Sequence, residues 1–347
     1  LGGPRLPWNP RKGWAGSLAF VVCGALGAAV LTAWTLRLPL GSAFAPGGGG
    51  GGGILAVMLP LALFCALVES LPTTLDDNLT VPLAAALALP LLVQAQPALL
   101  RQDPHLLSHL LLGLAANAAI GALAWKAGSI DVPGAVSAAV IGTAITVGLG
   151  WGALAVMVAF FVVGTAATKV GYAVKAARGI AQEKGGARGW RNAWANGGVA
   201  AALALLAGMA AGRRWSLLAL AYVAAVATAA ADTGSSEVGK AYGRRTFLIT
   251  NLRPVPPGTE GAISLEGTAG GLLAALLVSL VGAVTGLVSW TGAVLAAVAG
   301  LLGSLAESVL GTVAERKGWM GNDLLNAVNT AIGAALAMAL ARLAWAG

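Results

Sequence analysis

The sequence predicts an all-α fold, a polytopic bundle of about eleven transmembrane helices. Of its 347 residues, 58% are hydrophobic and only 10% are charged, whereas a soluble domain carries about 25% charged residues. Apolar stretches of about 20 residues recur along the whole chain, and each is long enough to cross about 30 Å of hydrocarbon. These stretches lack the period-two alternation of a membrane β-barrel.

The predicted helices are apolar segments bounded by charges, prolines or glycines. Residues 47–53 are seven consecutive glycines, which form a flexible coil rather than a helix. The fifth and sixth segments are so close that they must form a tight hairpin. In chain order the segments are 17–37, 54–71, 79–100, 105–125, 132–149, 151–168, 196–212, 215–231, 268–288, 290–306 and 325–346.

The charges are distributed unequally between the two predicted membrane faces. With the N-terminus on side one, that side holds 16 of the 21 basic and 12 of the 13 acidic residues. The basic excess makes side one cytoplasmic, or stromal in a plastid, and accounts for the net charge of +8 without a nucleic-acid partner. The orientation of the chain in the membrane does not depend on the acidic residues, so their confinement to side one indicates a functional surface there.

The segment "DTGSSEVGK", residues 232–240, places two acids and a lysine directly after an apolar run. On a helix, Asp232, Ser236 and Lys240 share one face. Carboxylates such as Asp232 and Glu237 next to Lys240 suit a hydrated Mg²⁺ with phosphate ligands. The alternative is a helix end that anchors the chain at the membrane interface.

Two loops on side one have features of phosphate sites. In residues 252–271, Pro257 and Gly258 force a turn that leads through Glu266 into the next helix, and a helix N-terminus attracts anions. Residues 168–197 carry six basic residues and one acid. The positive charge of this second loop is equally explained by membrane orientation. Its candidate phosphate ligands are Lys169, Glu183, Lys184, Arg188 and Asn196.

The last polar group lies at 305–329, "LAESVLGTVAERKGWMGNDLLNAVN". Asn322, Asn326 and Asn329 form one stripe on a helix that enters the membrane. Amides cannot face lipid without cost, so they must face a cavity, a partner or the bundle interior. Glu307 ends the preceding helix on the same side, and Asp323 lies beside the stripe.

Four motifs together resemble the phytyl-phosphate kinase family of integral membrane proteins. They are "ADTGSSEVGK", "PVPPGTEGAISLEGT", "GIAQEKGGARGWRNAWANG" and "NDLLNAVNT", and they cover about 104–346. The resemblance implies phosphoryl transfer from CTP or another nucleoside triphosphate to phytyl phosphate, an isoprenoid lipid phosphate, in tocopherol or phylloquinone synthesis. Within the first motif the resemblance implies three catalytic residues, Asp232, Glu237 and Lys240.

The same resemblance implies roles for the remaining polar residues. It gives Mg²⁺ four ligands, Asp232, Glu237, Glu307 and Asp323. It assigns nucleotide and phosphate binding to Lys169, Glu183, Lys184, Arg188, Asn196, Pro257, Gly258, Glu266, Asn322, Asn326 and Asn329.

Residues 1–103 resemble a different protein, the C-terminal half of phytol kinases, in "LPWNPRKGWAGSLAF" and "VESLPTTLDDNLTVPL". This part also resembles the second half of 104–347, so it is expected to be part of a kinase unit whose front half is absent. The start at Leu1 rather than Met fits a fragment. In the internal alignment Ala15 stands opposite Glu266, which predicts an impaired N-terminal unit.

Two other functions use similar groups. A cytidylyltransferase that transfers CMP to a lipid phosphate needs the same metal and bases. A transporter also has polar residues within its helices, but it places them near the midplane, whereas these charges lie at one surface. The sequence predicts an integral membrane protein of a plastid or a bacterial inner membrane, with membrane lipids around it, and leaves the oligomeric state open.

Overall fold

The computed structural model describes residues 3–39, 41, 44, 53–182, 186–315 and 317–344, without the side chains of 314 and 315. Glycines 47–52 and the predicted phosphate ligands Glu183 and Lys184 lie outside the described residues. Twelve α-helices are present in these ranges: α1 (Trp14–Thr35), α2 (Ile54–Ser70), α3 (Asp77–Val93), α4 (Pro97–Arg101), α5 (Leu106–Lys126), α6 (Val132–Lys169), α7 (Tyr172–Ala177), α8 (Trp190–Gly208), α9 (Gly212–Tyr242), α10 (Leu265–Val284), α11 (Trp290–Leu310) and α12 (Asn322–Ala344).

Short extended segments precede two of the helices. Strands β1 (Arg5–Leu6) and β2 (Asn9–Gly13) pair antiparallel before α1, and β3 (Phe247–Leu248) and β4 (Ala262–Ile263) pair antiparallel before α10. A π-helical turn, Gly311–Glu315, follows α11.

The chain is an all-α membrane protein, as the composition predicted. Within the described ranges, seven helices are long and apolar enough to cross a membrane: α1, α5, α6, α9, α10, α11 and α12. Helices α2 and α3 have 17 residues each, at the short limit for a span. The predicted segment 79–100 is two helices, because Pro97 begins α4 after a break in the backbone. The number of eleven crossing helices stays a prediction.

Helix α6 is a hairpin of two arms, 132–149 and 151–169, joined at Gly150. Gly150 has φ of 77° and ψ of −168°, which interrupts the helical backbone and suits glycine. A Cβ added at Gly134 or at Gly164 would lie 2.6 Å from an atom of Arg188. In a straight helix these two glycines would be about 45 Å apart. The chain therefore reverses at Gly150, which confirms the predicted hairpin.

Helix α9 lies at the centre of the second part of the chain. Every residue from 218 to 231 is buried, and most are alanine. Helix α10 packs closely on it, because a Cβ added at Gly271 would lie 1.9 Å from Ser235 Oγ and one at Gly267 would lie 2.7 Å from Ser235 O. Small residues allow membrane helices to approach in this way. This contact brings the polar segment of α9 against the start of α10.

The chain divides into two compact units, Leu1–Gln102 with Gly318–Met320, and Asp103–Lys317 with Gly321–Gly347. In the first unit, Lys12 forms ion pairs with Glu69 and, at 2.9 Å, with Asp77. Whether the units correspond to a partial and a complete kinase-like part stays a prediction.

The same order of elements occurs in both units. A β-hairpin is followed by three helices, as β1–β2–α1–α2–α3 in the first unit and as β3–β4–α10–α11–α12 in the second. Trp14 and Leu265 begin α1 and α10, so Ala15 takes the helix position that Glu266 takes in the second unit. The element order thus agrees with the internal resemblance seen in the sequence.

Candidate functional site

A polar cavity of about 200 Å³ lies where the ends of five helices of the second unit meet. Helices α8 to α12 contribute to its walls, and the turns between β3 and α10 cover one side. Eight of the residues predicted from sequence line this cavity, which are Arg188, Asn196, Asp232, Lys240, Gly258, Glu307, Asn322 and Asn326. Residues more than 130 positions apart in the sequence therefore share one space.

Two acids on different helices meet in the polar cavity. Asp232 is half-buried on α9, and its carboxyl group is in hydrogen-bond contact with that of Glu307 at the end of α11. Glu260 lines the same cavity from the turn before β4. Carboxylates so close repel one another unless a cation or a proton lies between them. The pair therefore requires a proton or a cation between its two carboxyl groups.

Two basic residues, Lys240 and Arg188, line the same cavity as these acids. Lys240 lies two helical turns beyond Asp232 on α9, with 28% of its side chain exposed. The backbone of Arg188 bonds Ser129 O at 3.0 Å, and its guanidinium lies 5.4 Å from the centre of the Phe160 ring. Burial lowers the pKa of the Arg188 guanidinium, although the charge of Glu237 opposes this shift.

Arg188 has no carboxylate within ion-pair distance among the residues that the structure describes. A buried charge is costly unless an opposite charge or hydrogen bonds compensate it. The planar guanidinium matches phosphate oxygens with two parallel hydrogen bonds. Arg188 is therefore placed to receive an anionic group from the polar cavity.

Amide side chains complete the wall. Asn326 Oδ1 is buried and has no hydrogen-bond partner within the described ranges, and Asn196 Nδ2 donates to Asn192 O at 3.0 Å. Asn329 lies nearly one turn deeper on α12 and is fully buried. Its Oδ1 and Nδ2 atoms also have no hydrogen-bond partner within the described ranges, but Asn329 does not line the cavity. A buried polar atom without a partner requires an explanation, and a ligand of the cavity supplies one for Asn326.

These groups fit Mg²⁺ better than a transition metal. No cluster of three His, Cys, Asp or Glu occurs in the part of the chain that the structure describes. Mg²⁺ is usually held by one or two carboxylates plus substrate phosphates, and it keeps several waters. Asp232, Glu307 and Asn326 Oδ1 are oxygen donors of the kind that such an ion takes.

Glu237 does not line the polar cavity, although its carboxylate lies 3.8 Å from Lys240 Nζ, which does. Its expected role as a metal ligand together with Asp232 stays a prediction. Its carboxylate forms an ion pair with Lys175 at 2.5 Å, and both side chains are buried. Gln182 donates to its second oxygen at 3.1 Å. Five residues along a helix turn the side chain by about 140°, so Glu237 faces α7 while Asp232 faces α11. The Lys175–Glu237 pair holds α7 against α9.

Four other predicted site residues do not line the cavity. Lys169 is exposed at the end of α6, and Asp323 is exposed at the start of α12. Glu266 accepts a hydrogen bond from the Arg244 amide at 3.4 Å. Pro257 shapes the turn whose next residue, Gly258, has φ of 88° and reaches the cavity.

Several polar residues that line the cavity were not predicted from the sequence, which are Gln182, Asn192, Thr268, Ser304 and Ser308. Helical spacing was the signal that would have found three of them. Asn192 stands four positions before Asn196, and Ser304 and Ser308 flank Glu307 on one helix face. Gln182 and Thr268 have no such pattern.

The fold and the cavity define a helical integral membrane protein whose bundle ends in a charged, oxygen-rich site. The chain belongs to the integral membrane protein DUF92 family, whose model matches residues 115–334. This match bears out the family resemblance of the motifs in 104–346. The resemblance of the first hundred residues lies outside it and stays a prediction.

Individual relatives come from distant organisms. The uncharacterized membrane protein sll0875 of Synechocystis is 44% identical over 203 residues, 58% of this chain and 78% of the relative. Protein VTE6, chloroplastic, of Arabidopsis thaliana is 36% identical over 214 residues, 60% of this chain and 64% of the relative. Membrane protein MJ0933 of Methanocaldococcus jannaschii is 32% identical over 209 residues, 60% of this chain and 84% of the relative. No solved structure matches the chain.

Proposed function

We propose that the second unit is a prenyl-phosphate kinase, which converts phytyl phosphate to phytyl diphosphate with CTP or another nucleoside triphosphate. The observation that carries this proposal is the meeting of Asp232 and Glu307 with Lys240 and Arg188 in one cavity. Acids that hold a cation and bases that hold anions are both required when one phosphate attacks another.

The reaction needs no nucleophile from the protein. An oxygen of the prenyl phosphate attacks the γ-phosphorus of the nucleotide, the bond to the β–γ bridging oxygen breaks, and the nucleoside diphosphate leaves. Lys240 and Arg188 bind and orient the phosphate oxygens, so that the attacking atom is held in line. Asp232, Glu307 and Asn326 would hold Mg²⁺, which neutralises phosphate charge when bound.

The position of the cavity supports a substrate that is part lipid. It lies at the end of α9, where the apolar run of that helix stops and its polar segment begins. A phosphate at this level is accessible to water-soluble nucleotides, while an attached isoprenoid tail stays in the bilayer. The similarity to a chloroplastic protein of Arabidopsis supports a plastid location in a eukaryotic phototroph, with the cavity on the stromal side.

The test is a transfer assay with the purified full chain in lipid nanodiscs. Phytyl phosphate and each of the four ribonucleoside triphosphates are incubated with Mg²⁺, and the products are resolved by mass spectrometry. The kinase proposal predicts phytyl diphosphate and a nucleoside diphosphate. A phytyl product that carries CMP, formed with pyrophosphate, would identify a cytidylyltransferase instead. Absence of every phytyl product would refute the proposal.

A further inference from the structure

A second cavity, of about 110 Å³, lies beside the first and is mainly apolar. It is formed by α5, both arms of α6 and the first turns of α8. Its apolar lining includes Ile120, Ala138, Leu154, Met157, Phe161 and Ala193. We name it the apolar groove, because Ile120 and Phe161 are only half-buried and leave one side open.

Glycines line part of this groove, among them Gly142 on α6 and Gly197 on α8. A Cβ added at Gly142 would lie 2.0 Å from Asn117 Oδ1, and one at Gly197 would lie 3.1 Å from Ile141 Cγ2. The groove is thus bordered by helices that pack closely at glycines.

The apolar groove and the polar cavity share one wall. Arg188, Asn192 and Asn196 line both. A ligand with a negatively charged head and an apolar tail can therefore place its head at Arg188, within the polar cavity, and its tail along Phe160 and Phe161. The phosphates of a nucleotide fit only the polar side of this wall, and a neutral hydrocarbon leaves Arg188 without an anionic partner.

We propose that the apolar groove binds the part of the isoprenoid tail that adjoins the substrate phosphate, and so selects the lipid substrate. The inference rests on the proposed function, because the ligand is the phosphate acceptor of that reaction. Arg188 marks the position of the substrate phosphate, and the groove sets the direction in which the tail leaves it. The remainder of a long tail lies between the helices and the lipid.

Filling the groove tests this assignment. Ala138→Phe on α6 and Ala193→Phe on α8 each place a large side chain in it from opposite walls. Val136→Phe is the matched control, because Val136 lies on the same arm of α6, is 61% exposed and lines neither cavity. We expect Ala138→Phe and Ala193→Phe to raise KM for phytyl phosphate at least tenfold, with KM for the nucleotide unchanged. Unchanged KM for phytyl phosphate in both folded variants would overturn the inference.

A binding measurement separates this inference from the kinase activity. Phytyl phosphate that carries a photoreactive diazirine on the tail near the phosphate is bound to the full chain without nucleotide and activated by light. We expect cross-links to peptides of α5, α6 and α8, reduced at least fivefold in Ala138→Phe and unchanged in Val136→Phe. Cross-links elsewhere would overturn the groove even if the chain is a kinase. Cross-links in the groove without turnover would refute only the kinase proposal.

Discussion

Replacement of Asp232 by asparagine removes one negative charge from the polar cavity with almost no change in shape. Asp232 is half-buried and in contact with Glu307, so an effective dielectric constant of about 20 applies rather than that of water. A unit charge about 4 Å from a cation then contributes roughly 4 kcal/mol, which corresponds to a loss of about 10³-fold in kcat. The apolar run of α9 is untouched, so the variant should insert and fold like the wild type.

The assay follows phytyl diphosphate formation in nanodiscs at saturating nucleotide and Mg²⁺. Asp103→Asn is the matched control, because it makes the same chemical change at a residue that lines neither cavity. The control should retain the wild-type rate within about twofold. If Asp232→Asn also retains it, then Asp232 does not hold the cation and the assignment of the polar cavity is wrong.

Three further outcomes follow from the same geometry. Glu307→Gln should lower kcat as strongly as Asp232→Asn. Glu69→Gln, in the first unit, should leave kcat within about twofold of the wild-type value. An equal loss of kcat in Glu307→Gln and Glu69→Gln would show that the first unit takes part in the reaction. Lys175→Met should destabilise the folded chain by about 3 kcal/mol, because it removes the buried ion-pair partner of Glu237, and adding Glu237→Leu should restore much of the melting temperature. Chelation of Mg²⁺ by EDTA should abolish turnover and readdition should restore it; full activity in EDTA would exclude the metal role of the acid pair.

The helices could be predicted well from the sequence, because the length of each apolar run is its strongest indication of a membrane-spanning helix. The hairpin at Gly150 followed from two adjacent apolar segments with no room for a loop. The helix break before Pro97 was not predicted, because the residues on both sides of it are apolar. Hydropathy averaged over the length of a membrane span does not show so short a break.

The sequence predicted which types of residue form the polar cavity, but not which acidic side chain lines it. Motifs on four helices indicated which residue types converge, and Asp232, Glu307 and Asn326 do line one space. Which acid faces the cavity depends on the rotation of α9, and nothing in "DTGSSEVGK" distinguishes Asp232 from Glu237. Lys175, which pairs with Glu237, is 62 positions away. The apolar groove depends on the spacing between α5, α6 and α8, which no single segment encodes.

The buried alanines of α9 have a consequence for how mutations are tolerated. From 218 to 231 this helix is enclosed on all sides by its neighbours, so substitution by a larger residue at most of these positions forces helices apart. The outward faces of α1 and α5 tolerate exchange of one large apolar residue for another. In a comparison of variants, substitutions in the buried part of α9 will therefore be as harmful as substitutions in the polar cavity, although the alanines of α9 take no part in the chemistry. Along α9, sensitivity to substitution is informative about catalysis only in the polar segment, which begins at Asp232.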